Sequence, residues 1–468
     1  MKMQAWNRIG VRYLPIRESQ SNDLPIRRLL RLSMFQVSVG MTLALVIGTL
    51  NRVMIVELGV PAWLVAVMVA VPLLLSPFRA IIGFRSDTHT SLLGWRRVPY
   101  LWIGTMLQFG GLAIMPFALL LLNGDSHGPR IAGPVAAGFA FLLVGVGLHT
   151  VQTVGLALAT DIVPQRSRPP VVTLLCVMML VGILASSLIF GLLLAHFSEE
   201  RLIQVVQGAA TVAMALNIVA LWKQEPRSAS TVIPATHAPR FREAWSIASR
   251  EPDARRRLVA VWFGTFAFGL QDVLLEPYGG QVLHLPVSAT TSLTALLAFG
   301  GIVGFVLAAI LLAPGRDRYR IAAIGTLEGA FAFALVITSA PAQSALLFAS
   351  GIFGIGLGAA MFLVGTLAGA MDASRGGRNG LALGTWGAVQ AFAAGGAIAA
   401  GGVLRDTISW IANDGHFGVV LQGPAVGYQA VYLLEIALLF ATLVALGPLV
   451  RFNNSVASYS SKKEIRPC

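Results

Sequence analysis

Charge is scarce in this chain of 468 residues: Asp, Glu, Lys and Arg together make up 12%, against roughly a quarter in a typical soluble domain. Cysteine is almost missing. Cys176 lies inside an apolar run and Cys468 is the last residue, so there is no disulfide framework and no thiol cluster for a metal. The seven histidines are scattered. There is no P-loop, no His-Glu-x-x-His, no Cys-x-x-Cys and no Ser-His-Asp arrangement in a plausible setting, so an enzyme is not expected. A cleavable signal peptide is not expected either, because residues 1–30 are polar and basic and the first apolar run is too long for one.

What is present is apolar. Hydrophobic residues make up 56% of the chain and the mean hydropathy is +0.75, which excludes disorder for the bulk of it and exceeds what a water-soluble globule can bury. Apolar runs of at least about 18 residues predict twelve membrane helices, near 32–56, 62–84, 98–122, 131–160, 170–197, 201–222, 257–281, 288–312, 320–339, 342–370, 380–404 and 427–450. The net charge of +13 would suggest nucleic acid in a soluble protein, but its placement explains it otherwise. With a cytoplasmic N-terminus, 30 of the 34 Lys and Arg fall in cytoplasmic segments, leaving Arg52, Arg130, Arg201 and Arg405 on the other side. This positive-inside bias predicts an even helix count with both termini cytoplasmic, and no nucleic acid partner is needed.

The one long hydrophilic stretch, 223–256, divides the chain. The expected organisation is a basic cytoplasmic segment (1–31), a six-helix bundle (32–222), a cytoplasmic linker (223–256), a second six-helix bundle (257–450) and a cytoplasmic tail (451–468). Leu58-Gly59-Val60-Pro61 after the first helix matches Leu283-His284-Leu285-Pro286 after the seventh, at an offset of 225. Asp161 with Arg166 resembles Asp372 with Arg378. A repeated six-helix unit of this kind predicts the all-α major facilitator fold. Gly83-Phe84-Arg85-Ser86-Asp87 followed by Arg96-Arg97 resembles that fold's cytoplasmic-loop signature, in which Gly lets helix ends approach and Asp caps a neighbouring N-terminus.

Ionisable residues inside spans are functional candidates by default. They are Arg52, Glu57, His149, Asp272, Glu276, Glu328 and Glu435. Helices one, four, seven and ten line the cavity of a facilitator fold, which singles out Arg52, His149 and the Gln271, Asp272 and Glu276 group. An unpaired Arg52 would be costly in the membrane, so it is expected to pair across the cavity with Glu276 or Asp272 as a latch between the halves. His149, and His196 near the end of helix five, are candidate axial ligands for a metallated cofactor. A lone helix histidine is more often hydrogen-bonded structure, and no metal site is expected.

Longer motifs carry a family resemblance. The segment from Leu32 to Gly40, then Gly48-Thr49-Leu50-Asn51-Arg52-Val53-Met54-Ile55-Val56-Glu57-Leu58-Gly59-Val60-Pro61, resembles the PucC/LhaA family. So do Phe84-Arg85-Ser86-Asp87-Thr88-His89, Gly94-Trp95-Arg96-Arg97-Val98-Pro99-Tyr100 and Gln271-Asp272-Val273-Leu274-Leu275-Glu276-Pro277-Tyr278-Gly279-Gly280. The lead-in Arg12-Tyr13-Leu14-Pro15 with Asp23-Leu24-Pro25 looks closer to the LhaA branch. The resemblance covers all twelve helices and implies a bacteriochlorophyll-handling assembly factor of a purple phototroph, serving the LH1 ring, with LH2 as the alternative. It implies light-harvesting alpha and beta polypeptides as partners, together with reaction centre-LH1 assembly intermediates and bacteriochlorophyll synthase, in the inner or intracytoplasmic photosynthetic membrane. It implies no catalytic residues. A proton-coupled transporter of a small solute and a pigment-free scaffold for antenna subunits remain the competing readings. For an assembly factor, pigment and antenna are expected on the apolar outer faces, where Gly300/Gly304, Gly354/Gly358, Gly365/Gly369, Gly395-Gly396 and Gly401-Gly402 could offer a small-residue docking surface or merely pack the bundle.

Overall fold

A computed structural model of the protein describes residues 26–74, 82, 86, 95–122, 129, 131–163, 168–225, 253–312, 316–373, 379–414 and 423–450. Gly83, Asp87, most of the 223–256 linker and the 451–468 tail lie outside them. The regular structure among the described residues is all helix. In chain order the helices are α1 (Arg27–Glu57), α2 (Ala62–Leu74), α3 (Val98–Leu122), α4 (Ala132–Ile162), α5 (Arg168–Leu193), α6 (Glu199–Leu221), α7 (Ala254–Gln281), α8 (Val287–Leu312), α9 (Arg318–Ser339), α10 (Ala345–Ala373), α11 (Asn379–Asn413) and α12 (Ala425–Leu446). Eleven are long and apolar enough to cross a membrane, and α2 is a shorter apolar helix over its described residues.

Two boundaries differ from the apolar runs. The first helical turns begin at Ile26, ahead of the apolar stretch, because Arg27, Arg28 and Arg31 extend the same helix as a basic first turn. Helix α11 continues past Arg405 and Asp406 to Asn413. Those charges do not end it because they are neutralised in place. Arg405 donates to Asp406 and to Gln281 Oε1, each at 2.6 Å, and lies 4.5 Å from the centre of the Tyr428 ring.

Two helices are irregular at matching places. Helix α1 winds as π-helix over Ala44–Leu50 and Val53–Glu57, and α7 tightens to a 3-10 turn over Leu270–Val273 before resuming at Leu275. Such interruptions mark functional positions in membrane helices more often than regular winding does. Their C-terminal ends share one backbone pattern at the offset of 225. Val60 N–H donates to Met54 C=O at 2.9 Å, and Leu285 N–H donates to Gly279 C=O at 3.0 Å. The residue that turns the chain is left-handed in both, Gly59 at φ 63° and His284 at φ 53°. Pro61 and Pro286 then open α2 and α8 with equivalent hydrogen bonds from residues three and four further on. Each bond spans six residues, one more than the six-to-one bond of a Schellman stop, and the Leu-x-x-Pro match in the sequence is the footprint of this shared stop.

Side-chain packing joins α3 to α4 and α6, α1 to α5 and α6, α9 to α10 and α12, and α7 to α11 and α12. Between these groups α2 lies along α11 and α5 along α8. Close approach depends on glycine. A side chain at Gly402 would run into Ala62 and Ala66 of α2. The other paired glycines also face the bundle: Gly300 and Gly304 meet Phe353 and Leu357, Gly358 meets Gly325, Gly365 meets Ala322, and Gly395 meets Leu73 and Leu74. They pack this protein's own helices. Beyond the break in α7, Tyr278 is fully buried against Tyr428 and Tyr432, with ring centres 5.5 and 5.4 Å away. Its hydroxyl donates to the Val336 carbonyl at 3.2 Å. This aromatic cluster fixes the second half of α7 to α9 and α12.

Candidate functional site

The break in α7 places Gln271, Asp272 and Glu276 at the centre of the bundle. A cavity of about 190 Å³ is bounded by Leu43, Ala44, Ile47 and Gly48 of α1, Gln271, Asp272, Leu275 and Glu276 of α7, and Leu293, Thr294 and Leu297 of α8, with Ile183 and Ile352 completing it. A second, of about 330 Å³, shares Gln271 and Asp272 and extends along α8, α10 and α11 to Gln390 and Ala394. Glu276 accepts a hydrogen bond from Thr294, and its other carboxylate oxygen is buried without one. Asp272 accepts from Gln271 Nε2 at 2.6 Å. Glu435 on α12 is wholly buried beside the Gln271 backbone and near Asp272, with neither oxygen in a well-formed hydrogen bond. Three carboxyl groups thus surround one tightened turn. The Val273 carbonyl, whose helical donor four residues on would be Pro277 with no N–H, is met from α1, where Asn51 donates to it at 2.9 Å.

Arg52 is 3% exposed at the opposite end of the bundle from the basic loops. The expected pair with Glu276 or Asp272 is not formed; its ion-pair partner is Glu57 on the same helix. The π-helical turn explains this, since about 4.4 residues per turn bring i and i+5 onto one face. Arg52 still bridges to the second set of helices through Leu285 C=O, at 3.3 Å. Its guanidinium lies over Gly280, where an added Cβ would come within 3.2 Å. Glu276 instead faces α1 through Gly48, and it senses Arg52 only as a nearby charge. At the same end Asp406 accepts the Trp63 backbone N–H at 2.7 Å, capping the start of α2 from α11.

The basic end is organised by a residue that no motif marks. Glu225, four residues past α6, accepts the backbone N–H groups of Arg96, Arg97 and Val98 at 2.9 to 3.0 Å. It satisfies the orphan donors at the start of α3 from 127 residues away in sequence. The paired arginines of the loop motif hold the end of α4. Arg96 Nη2 and Arg97 Nε donate to Asp161 Oδ2 at 2.8 and 3.1 Å, and Arg97 Nη1 donates to Ser86 at 2.6 Å. Arg28 of α1 joins the same end by donating to Gln224 Oε1 and to the Gln224 carbonyl.

The structure brings Asp272 and Glu276 together with Glu435, and joins Arg96 to Arg97 through Asp161. It separates the histidines from both. His149 is buried in α4, 8% exposed. Neither central cavity is lined by a described residue of α4, whereas α5 and α8 take part. His196 is exposed in the turn between α5 and α6. Among the described residues there is no group of three His, Cys, Asp or Glu side chains that could hold a metal ion.

The fold is that of major facilitator transporters. The crystal structure of the nucleoside transporter NupG (D323A mutant) superposes with a TM-score of 0.67 at 12% identity, covering 91% of this chain and 100% of that one. In sequence, a Rhodobacter capsulatus protein described as an uncharacterized protein in the puhA-bchM intergenic region is 53% identical over 95% of this chain and 93% of its own. Protein PucC of Rhodovulum sulfidophilum is 53% identical over 86% of this chain and 89% of its own. Residues 49–454 match the PUCC protein family, a stretch that takes in the end of α1, the break in α7, the central carboxyls and the capped start of α3. The chain belongs to the PucC family.

Proposed function

We propose that this multi-pass membrane protein serves photosynthesis in a purple bacterium, as a non-enzymatic factor that handles bacteriochlorophyll and antenna polypeptides while light-harvesting complex is assembled. The LH1 ring is the proposed client, and LH2 the alternative. Membership of the PucC family over most of the chain carries this reading. The cavity volumes support it. The central spaces of about 190 and 330 Å³ sit at or below the low end of the roughly 300–1,000 Å³ that drug-sized ligands occupy. A tetrapyrrole with a long isoprenoid tail is larger than such a ligand, so pigment and single-span antenna subunits are assigned to the lipid-facing surface. The proposed orientation puts both termini and the Glu225 end in the cytoplasm, in the inner or intracytoplasmic membrane, following the distribution of Lys and Arg.

The test is a clean deletion followed by near-infrared absorption of membranes. LH1 absorption should fall severalfold while extractable bacteriochlorophyll precursors persist. Normal antenna levels with no paralogue expressed refute the proposal. Protein purified in mild detergent separates the variants of the idea. Near-infrared bands with antenna subunits shown to be absent indicate a pigment carrier, and colourless protein that co-purifies with antenna subunits indicates a scaffold. The second reading, a proton-coupled transporter, is favoured by one observation, the carboxyl groups around the broken α7. Substrate-dependent flux in liposomes would establish it.

A further inference from the structure

At the basic end a groove of about 1120 Å³ opens on the outside of the bundle, between the starts of α1 and α3 and the end of α6. Arg27, Arg28 and Arg31 line one wall, Trp95, Val98, Pro99 and Trp102 a second, and Ile218, Leu221, Trp222 and Lys223 a third. Among the described residues Glu225 is the one carboxylate on its rim, and both its oxygens are taken by the backbone donors of α3. Arg28 is tied to Gln224. The Arg31 Nε is buried without a hydrogen-bond partner, while Arg27 and Lys223 are exposed. The remaining wall is mostly apolar, and Trp102 and Trp222 are 42% and 59% exposed along it.

We propose that this groove binds the headgroup of an anionic phospholipid. Tryptophan is enriched at the depth where headgroups meet acyl chains, and arginine and lysine beside it attract anionic headgroups. The phosphate and glycerol sit between Arg27, Arg31 and Lys223, and the acyl chains run down over Val98, Trp102 and Ile218. A lipid held there ties α1, α3 and α6 together at the end where Glu225 already clamps α3.

The experiment is native mass spectrometry of the full chain in nonionic detergent, titrated with phosphatidylglycerol, phosphatidylcholine or inorganic phosphate. Wild type should retain one phosphatidylglycerol at concentrations where phosphatidylcholine does not remain bound. R27Q/R31Q/K223Q should weaken phosphatidylglycerol binding by about a hundredfold, at roughly a factor of five for each charge near the surface, with no effect on phosphatidylcholine. R255Q/R320Q, with basic residues changed at other helix starts, should bind as wild type. Should the triple variant fail to fold, K223Q alone, at an exposed position, should still weaken binding severalfold. The proposal is overturned if the triple variant or K223Q binds phosphatidylglycerol like wild type, if phosphatidylcholine binds equally, or if R255Q/R320Q loses the lipid as well. It is also overturned if inorganic phosphate alone displaces the lipid, because the site would then recognise a free anion.

Discussion

Replacing Arg52 tests which charge the buried guanidinium serves. Its side chain is 4% exposed and that of Glu57 36% exposed, so one partner is dry and the other touches solvent. Breaking a fully buried ion pair by removing one side costs about 3–5 kcal/mol. Glu57 can be rehydrated when Arg52 is lost, so R52M should cost less, about 2 kcal/mol, part of it from the orphaned Leu285 carbonyl. E57Q leaves Arg52 buried with its carbonyl contact and without its counter-charge, and should cost about 2–3 kcal/mol. The double variant R52M/E57Q removes both charges and should be no worse than the harsher single, a coupling of at least about 2 kcal/mol. The cycle of R52M with E276Q should give a smaller coupling, because the two sense each other as nearby charges without a direct contact. Reversible unfolding in mixed micelles, followed by tryptophan fluorescence, measures each corner. A larger coupling of Arg52 to Glu276 than to Glu57 would refute the geometry and restore the direct latch across the cavity.

Two further substitutions probe the irregular backbone and the basic end. N51A removes the donor to the Val273 carbonyl inside the bundle; an unsatisfied buried acceptor costs about 1–3 kcal/mol, and hydrogen exchange should rise in α7 around Leu270–Val273 while α9 is unchanged. E225A removes the acceptor for the first donors of α3; loss of the cap should cost about 1–2 kcal/mol, visible as faster exchange at Val98–Leu101, and E225Q should recover about half because an amide oxygen still accepts without charge. Unchanged exchange at the named segments would refute either assignment.

The helices were legible because long apolar runs have one solution in lipid, and the boundary errors fall where charge interrupts the run. Arg405 and Asp406 read as a loop, yet Gln281 and Tyr428, distant in sequence, keep them inside α11. The match at an offset of 225 was legible as letters; its cause, a left-handed residue after an interrupted helix, was not, since His284 takes the position that Gly59 occupies. Asp272 and Glu276 stood out as ionisable residues in a span. Their neighbour Glu435 was noted but not placed with them, because 159 residues separate it from Glu276 and only the fold brings α12 to α7. Glu225 carries no such signal. It lies in a polar stretch where a glutamate is unremarkable, and its partners are backbone groups, which carry no side-chain signature.

The misassigned partner of Arg52 shows where helical arithmetic fails. The repeat offset of 225 maps Arg52 next to Glu276, and the two are near one another. Nearness did not decide the pairing. An α-helical Arg52 would meet residues three and four further on, which are Ile55 and Val56, and would have to look across the cavity for a carboxylate. Two π-wound stretches shift the phase so that Glu57 comes round beneath it. The same shift turns Asn51 toward the Val273 carbonyl, whose helical donor four residues on would be Pro277, which has no N–H. Helix α7 thus lacks a helical hydrogen bond at the carboxyl cluster, and α1, widened to π-helix at the matching depth, supplies the donor that replaces it. A substitution that restores regular winding to α1 alone would strand Val273 and Arg52 together, so the two breaks are one structural unit and their residues should be varied as one.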